Sequence, residues 1–172
     1  LFAALKSSQV IHIDFSGCGL GPGSMDRLAE YLRDATASLT SLHCGFNPGM
    51  VGELDGYGRL KTPDAHIDAL QQLLNALTPS AVTDLDISGI GIGPTGADRV
   101  ADYIRDAKAS IASLKLDSNG IFGELYLDGA VKEADKFVAE VQPFLDALKT
   151  SSLTSLSLRS TGMGVKGIIA TT

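Results

Sequence analysis

Apolar residues recur along this chain in two alternating rhythms. Ile13–Phe15 and Leu156–Leu158 place an apolar side chain at every second position, the period of a strand with one buried face. Met25, Leu28, Ala29, Leu32 and Ala35 fall at i, i+3, i+4, i+7 and i+10, which is one face of a helix, and Ala97, Val100, Ala101, Ile104 and Ala107 repeat that spacing. Gly and Pro interrupt the chain between strand and helix. Pro22, Pro63 and Pro94 stand where helices are expected to start, since their fixed φ and missing N–H suit a first turn, with Thr62 as the expected N-cap before Pro63. Pro143 lies inside a helical pattern over Val131–Lys149, which is therefore expected to kink or split there.

The rhythm is itself repeated. When Val10–Ser38 is aligned with Val82–Ser110, 16 of the 29 positions are identical. "LTSLHCGFNPGMVGEL" at Leu39 corresponds to "IASLKLDSNGIFGEL" at Ile111, and "LTSLSLRSTGMG" opens a further copy at Leu153. Five phrases share one form: "VIHIDFSGCGL", "LTSLHCGFNPG", "VTDLDISGIGI", "IASLKLDSNGI" and "LTSLSLRSTGM", with apolar residues at places one, four and six. The second unit of each pair carries extra residues, "GELDGYGRLK" at Gly52 and "GELYLDGAVK" at Gly123, and the Asp-Gly in each predicts a hairpin-like protrusion.

These phrases resemble the leucine-rich repeat pattern L-x-x-L-x-L-x-x-N/C-x-L, and the unit length is similar to that of the ribonuclease-inhibitor-like subclass. Asn47 and Asn119 match the family's asparagine and Cys18 its cysteine variant, whereas Ile90 and Thr161 depart from it. The resemblance implies an α/β fold: a right-handed β-α horseshoe solenoid with about five parallel strands on its concave side and helices on its convex side. Residues 1–172 are then expected to form a single leucine-rich-repeat domain, with repeats starting near 10, 39, 82, 111 and 153. "LFAALKSS" matches the helix end "LDALKTSS", and "MGVKGIIATT" stops within an expected helix, so a fragment of a longer array is expected, with neighbours covering both ends.

Composition narrows the function classes. Fourteen Lys+Arg against 20 Asp+Glu leave a formal charge of −6 without a basic cluster, which argues against nucleic acid or an anionic membrane as partner and leans mildly toward a basic one. No apolar run is long enough to cross a bilayer. Two cysteines, Cys18 and Cys44, make no disulfide framework and fit a reducing, intracellular and cytoplasmic setting. Both occupy places expected to point inward, as buried rather than reactive thiols.

On the family's pattern the polar strand places form columns on the concave face, its usual partner surface. The third places hold His12, Ser41, Asp84, Ser113 and Ser155; the fifth hold Asp14, His43, Asp86, Lys115 and Ser157; the seventh hold Ser16, Gly45, Ser88, Asp117 and Arg159. These charges are expected to pair across strands, and a satisfied face can still bind. His12, Asp14, Asp84, Asp86, Lys115, Asp117, Ser157, Arg159 and His43 are the partner-binding candidates there, joined by Phe46, Tyr57 and Tyr126 in the loops, with Leu127 and Met50 nearby. The loop aromatics either anchor a partner or fold back over the strand ends. No metal is expected at His12, Asp14 and His43, because closed zinc sites take four ligands and Cys44 points inward. "GIGPTG" at Gly91–Gly96 followed by Asp117 has the parts of a dinucleotide fingerprint, but its copy "GLGPGS" lacks the third glycine, and the repeat already accounts for a strand-to-helix turn. His66 reads as a surface residue in a first helical turn. The face Asp26, Arg27, Glu30, Arg33, Asp34 recurs as Asp98, Arg99, Asp102, Arg105, Asp106, a solvated convex stripe or a docking one. No nucleophile–base set converges, so no enzyme and no cofactor are expected. The expectation is a non-catalytic protein-binding module, with two alternatives: a structural block in a larger assembly, or a small-GTPase regulator offering Arg59 or Arg159 to the nucleotide.

Overall fold

A computed structural model describes residue 5 and residues 9–34, 39–107, 109 and 111–171. Ala35, seven of the first eight residues, and the side chain of Asp34 lie outside the described part. Each strand–turn–helix phrase of the sequence becomes one layer step: β1 (His12–Asp14), α1 (Pro22–Asp34), β2 (Ser41–His43), the hairpin β3 (Glu53–Leu54) and β4 (Leu60–Thr62), and α2 (Ile67–Leu77). The order then repeats as β5 (Asp84–Asp86), α3 (Pro94–Asp106), β6 (Ser113–Lys115), the hairpin β7 (Glu124–Leu125) and β8 (Val131–Glu133), α4 (Gln142–Thr150), β9 (Ser155–Ser157) and α5 (Val165–Thr171).

β1, β2, β5, β6 and β9 form one parallel sheet in that order, with His12, Ser41, Asp84, Ser113 and Ser155 in register. The fold is α/β, and consecutive helices pack side by side in chain order. Each strand is three residues long and turns its central residue toward the helices. Leu42, Leu85 and Leu114 are fully buried and Ile13 nearly so, each worth about 1.5–3 kcal/mol of transfer free energy, while Leu156 on the last strand is 39% exposed. Met25, Leu28, Ala29 and Leu32 of α1 and Ala97, Val100 and Ala101 of α3 meet this apolar row, as their spacing predicts.

Polar atoms inside the fold are spent on the turns. Asn47 Nδ2 donates to the carbonyls of Phe15 and Cys44, and its Oδ1 accepts from Leu20 N; Asn119 does the same for Ile87 and Leu116 and accepts from Gly91 N and Ile92 N. Each asparagine thus joins its own unit to the preceding one. The Thr161 hydroxyl bonds within its own unit, to Leu158 O, while Ile90 packs in the core.

Place eight of every phrase is left-handed: Gly17 (φ 65°), Phe46 (57°), Gly89 (57°), Ser118 (56°) and Ser160 (53°). For a bulky residue such as Phe46 this conformation costs about 1–2 kcal/mol. Gly91 is required by close approach, since a Cβ there would lie 2.5 Å from Gly52 N of the neighbouring unit.

Three expectations are corrected. Thr62 belongs to β4 and Pro63 to the following turn, and α2 begins only at Ile67 behind His66, because Asp64 is drawn away to the start of α3. Cys18 is exposed, since β1 is the edge strand of the sheet and no further strand among the described residues lies beyond it, whereas Cys44 is buried. Met50 is fully buried rather than presented by the loop. The pattern over Val131–Lys149 does split: β8 and a run of turns precede α4, which starts around Pro143.

Candidate partner-binding face

The pleat that buries the central residue of each strand leaves its two neighbours on the opposite face, so the third and fifth places assemble into the expected polar columns. Their charges are largely spent on one another. Asp84 Oδ2 accepts from Ser41 Oγ at 2.7 Å and from His43 Nε2 at 2.9 Å, and His12 Nδ1 lies 2.7 Å from the same Ser41 oxygen. Partial burial acts to raise the Asp84 carboxyl, but the bonds from Ser41, His43 and Ser113 hold it below its ordinary value. Asp14 is likewise lowered, chiefly by the Ser16 amide, which donates to its Oδ1 at 2.8 Å. Asp86 repeats that turn with Ser88 N at 3.0 Å and pairs with Lys115 Nζ at 3.4 Å. Asp117 accepts the backbone N–H of Arg159 at 2.7 Å, Arg159 is exposed, and Ser157 is half-buried on β9.

The insertions project beyond the C-terminal ends of β2 and β6. Tyr57 is 86%, Tyr126 55% and Leu127 47% exposed, so these side chains are held out in solvent, whereas Phe46, 61% exposed, lies in the turn after β2 with its ring against Gly89 just past the end of β5. The first tip is stiff. Asp55 accepts the amides of Tyr57 and Arg59 and both Nε and Nη2 of the Arg59 side chain, whose guanidinium lies 5.1 Å from the Tyr57 ring centre. Arg59 is therefore engaged within its own hairpin. The second tip is closed by Tyr126 N to Ala130 O at 2.8 Å and Ala130 N to Asp128 at 3.0 Å. At the hairpin bases, Lys61 pairs with Glu53 at 3.1 Å and Lys132 with Glu124 at 2.6 Å.

The glycine-rich turn is taken up by a residue the sequence reading passed over. Asp64 (φ 59°) accepts Gly93 N and Gly96 N on Oδ1 and Thr95 N on Oδ2, at 2.8, 3.1 and 3.0 Å. The amides that a phosphate would need at the start of α3 already face a carboxylate. Asp135 (φ 60°) accepts the corresponding three amides, of Gly164, Gly167 and Lys166, at the start of α5. Their placement 71 residues apart, one step off the 72-residue repeat, was the available signal.

On the helix side, Arg27 pairs with Glu30 at 3.1 Å and Arg105 with Asp102, the i, i+3 pairing expected of a solvated stripe. No helix among the described residues is long and apolar enough to cross a membrane. No known family model and no curated protein matches the chain.

Proposed function

We propose that this chain is a leucine-rich-repeat solenoid of the ribonuclease-inhibitor-like subclass, with the polar sheet face concave and the helices convex, and that it is a non-catalytic module binding a protein partner. The observation carrying this reading is the pair of hairpins that hold Tyr57, Tyr126 and Leu127 out in water, with Phe46 beside them in a costly backbone conformation. Exposed aromatics on rigid supports lose little entropy on docking and suit the centre of an interface. The partner seats on the tips and on the sheet face, where Asp14 and Asp117 favour a basic surface. The test is capture from a lysate by wild type, by a Tyr57→Ser/Tyr126→Ser/Leu127→Ser variant and by an Asp14→Ser/Asp117→Ser variant, each checked for an unchanged melting curve. A protein retained by wild type and lost with the tip variant supports the reading; equal retention by all three sinks it.

A second reading, a building block stacked in an assembly, is favoured by the exposure of Leu156 (39%) on β9 and Val165 (72%) on α5. It requires concentration-dependent association in sedimentation, and a monomer throughout removes it.

A further inference from the structure

We propose that His12, Asp14 and His43 form a binding site for a divalent transition-metal ion of the zinc class, at the β1–β2 end of the polar sheet face. This does not depend on the protein-binding reading. One ligand atom from each of the three lies within 4.8 Å of the other two. His12 and Asp14 are exposed and His43 is half-buried, so the group is open to solvent on one side. Imidazole nitrogens and a carboxylate oxygen are the donors such ions take, and three protein ligands with an open fourth position is an established zinc arrangement.

The hydrogen bonds around the cluster decide which lone pairs point outward. An ionised Asp84 only accepts, so it takes the hydroxyl proton of Ser41 and the Nε2 proton of His43. Ser41, having donated its single proton, accepts from His12 Nδ1. Both imidazoles are thereby set in the tautomer that leaves the other nitrogen bare, Nε2 of His12 and Nδ1 of His43. Asp14 is fixed by its bond from Ser16 N. Each ligand thus has an orienting partner behind it, the outer shell that metal sites use to fix ring orientation and raise basicity. Zinc bonded at about 2.0–2.2 Å brings its ligand atoms to about 3.4 Å apart, so the three, already within 4.8 Å of one another, close by at most about 1.4 Å.

The second copy of the unit provides an internal contrast. His12, Asp14, Ser41 and His43 correspond to Asp84, Asp86, Ser113 and Lys115. There the Lys115 ammonium lies 3.4 Å from Asp86 and supplies the positive charge itself. In the first copy two imidazoles stand where a lysine and an aspartate do, so that place holds metal-donor nitrogens instead of a fixed ammonium.

The test is calorimetric titration of the full chain with Zn2+ alone near pH 7.5, paired with histidine NMR shifts and a Cys18→Ser background to silence the exposed thiol. One ion per chain is expected in both backgrounds. His12→Ala, His43→Ala and Asp14→Asn should each weaken binding at least tenfold, Asp84→Asn between ten- and a hundredfold through the lost second shell, and His66→Ala not at all. Circular dichroism must show each variant folded, and His43→Gln serves if His43→Ala is not. Absence of saturable binding, binding lost only with Cys18→Ser, or Zn2+ shifting His66 rather than His12 and His43 would each overturn the proposal.

Discussion

Replacing Asp64 with Ala probes the joint between units more directly than any core truncation. Its carboxylate bridges three amides of α3 from outside that helix, and its backbone is left-handed. Removing a capping acceptor costs about 0.5–2 kcal/mol. Here two of the three donors are part-buried, so a value of about 2 kcal/mol is expected. Alanine in a left-handed conformation adds about 1 kcal/mol, giving about 3 kcal/mol in all. Asparagine tolerates that conformation and keeps Oδ1 for Gly93 and Gly96, surrendering only the exposed Thr95 bond, so Asp64→Asn should cost about 1 kcal/mol. Burial raises the Asp64 carboxyl despite its three donors, so the ionised form gains little over a neutral acceptor there. Urea unfolding followed by circular dichroism at pH 7 reads both values from the midpoint shift. If Asn costs as much as Ala, charge rather than acceptor geometry holds the joint, and if Ala costs under 1 kcal/mol the joint itself is dispensable; either result refutes the argument.

Four further outcomes follow from the same geometry. Cys18, exposed, should react with a thiol reagent in the folded chain while Cys44, whose buried thiol is pushed up to about 12, stays silent until the chain unfolds. Tyr103→Phe should leave stability unchanged or raise it by up to about 1 kcal/mol in thermal unfolding, because the Tyr103 hydroxyl is buried with no hydrogen-bond partner among the described residues. Hydrogen bonds from Lys132 and Lys136 hold Glu124 at about 2 against an ordinary 4.5; the native state therefore binds fewer protons, and stability present above pH 4.5 is lost as pH falls toward 2, a loss that Glu124→Gln should shrink in acid titrations. Asn119→Ala should destabilise by about 3 kcal/mol in urea, since Ile87 O, Leu116 O and two amides lose their buried partner together, whereas Thr161→Ala, with one bond, should cost about 1 kcal/mol.

The parts of the fold set by local periodicity were legible in the sequence. The alternation around Ile13, Leu42, Leu85 and Leu114 and the helical spacing from Met25 and Ala97 each concern residues that meet the same neighbours in every copy. Pro22 and Pro94 marked true helix starts because nothing beyond their own turn competes for them. Pro63 misled because Asp64, the next residue, serves a distant helix, and a bond spanning about 30 residues leaves no trace in a local window. Cys18 misled for the converse reason: its place is inward only when a preceding unit covers it. The columns of the sheet face were correctly assembled from the register, but which members pair was not, since His43 reaches diagonally to Asp84 rather than straight across to Asp86. His12, Asp14 and His43 come together through the β1–β2 register itself, on the side of β2 away from Asp84, and that grouping was legible.

The two copies of the unit also separate what the fold demands from what it merely permits. Ile13 and Leu85, Leu42 and Leu114, Asn47 and Asn119, and Asp64 and Asp135 hold corresponding places, and each is held by burial or by bonds between units. A change at any of them meets a packed or hydrogen-bonded neighbour. His12 against Asp84, His43 against Lys115, and Tyr57 against the corresponding turn of the second hairpin differ in charge or shape while the strands keep their register and the hairpins still form. A scaffold that accepts both members of such a pair does not dictate either one. Those positions lie together on the sheet face and the tips, so the chemistry particular to this protein is concentrated where the repeat leaves the chain free.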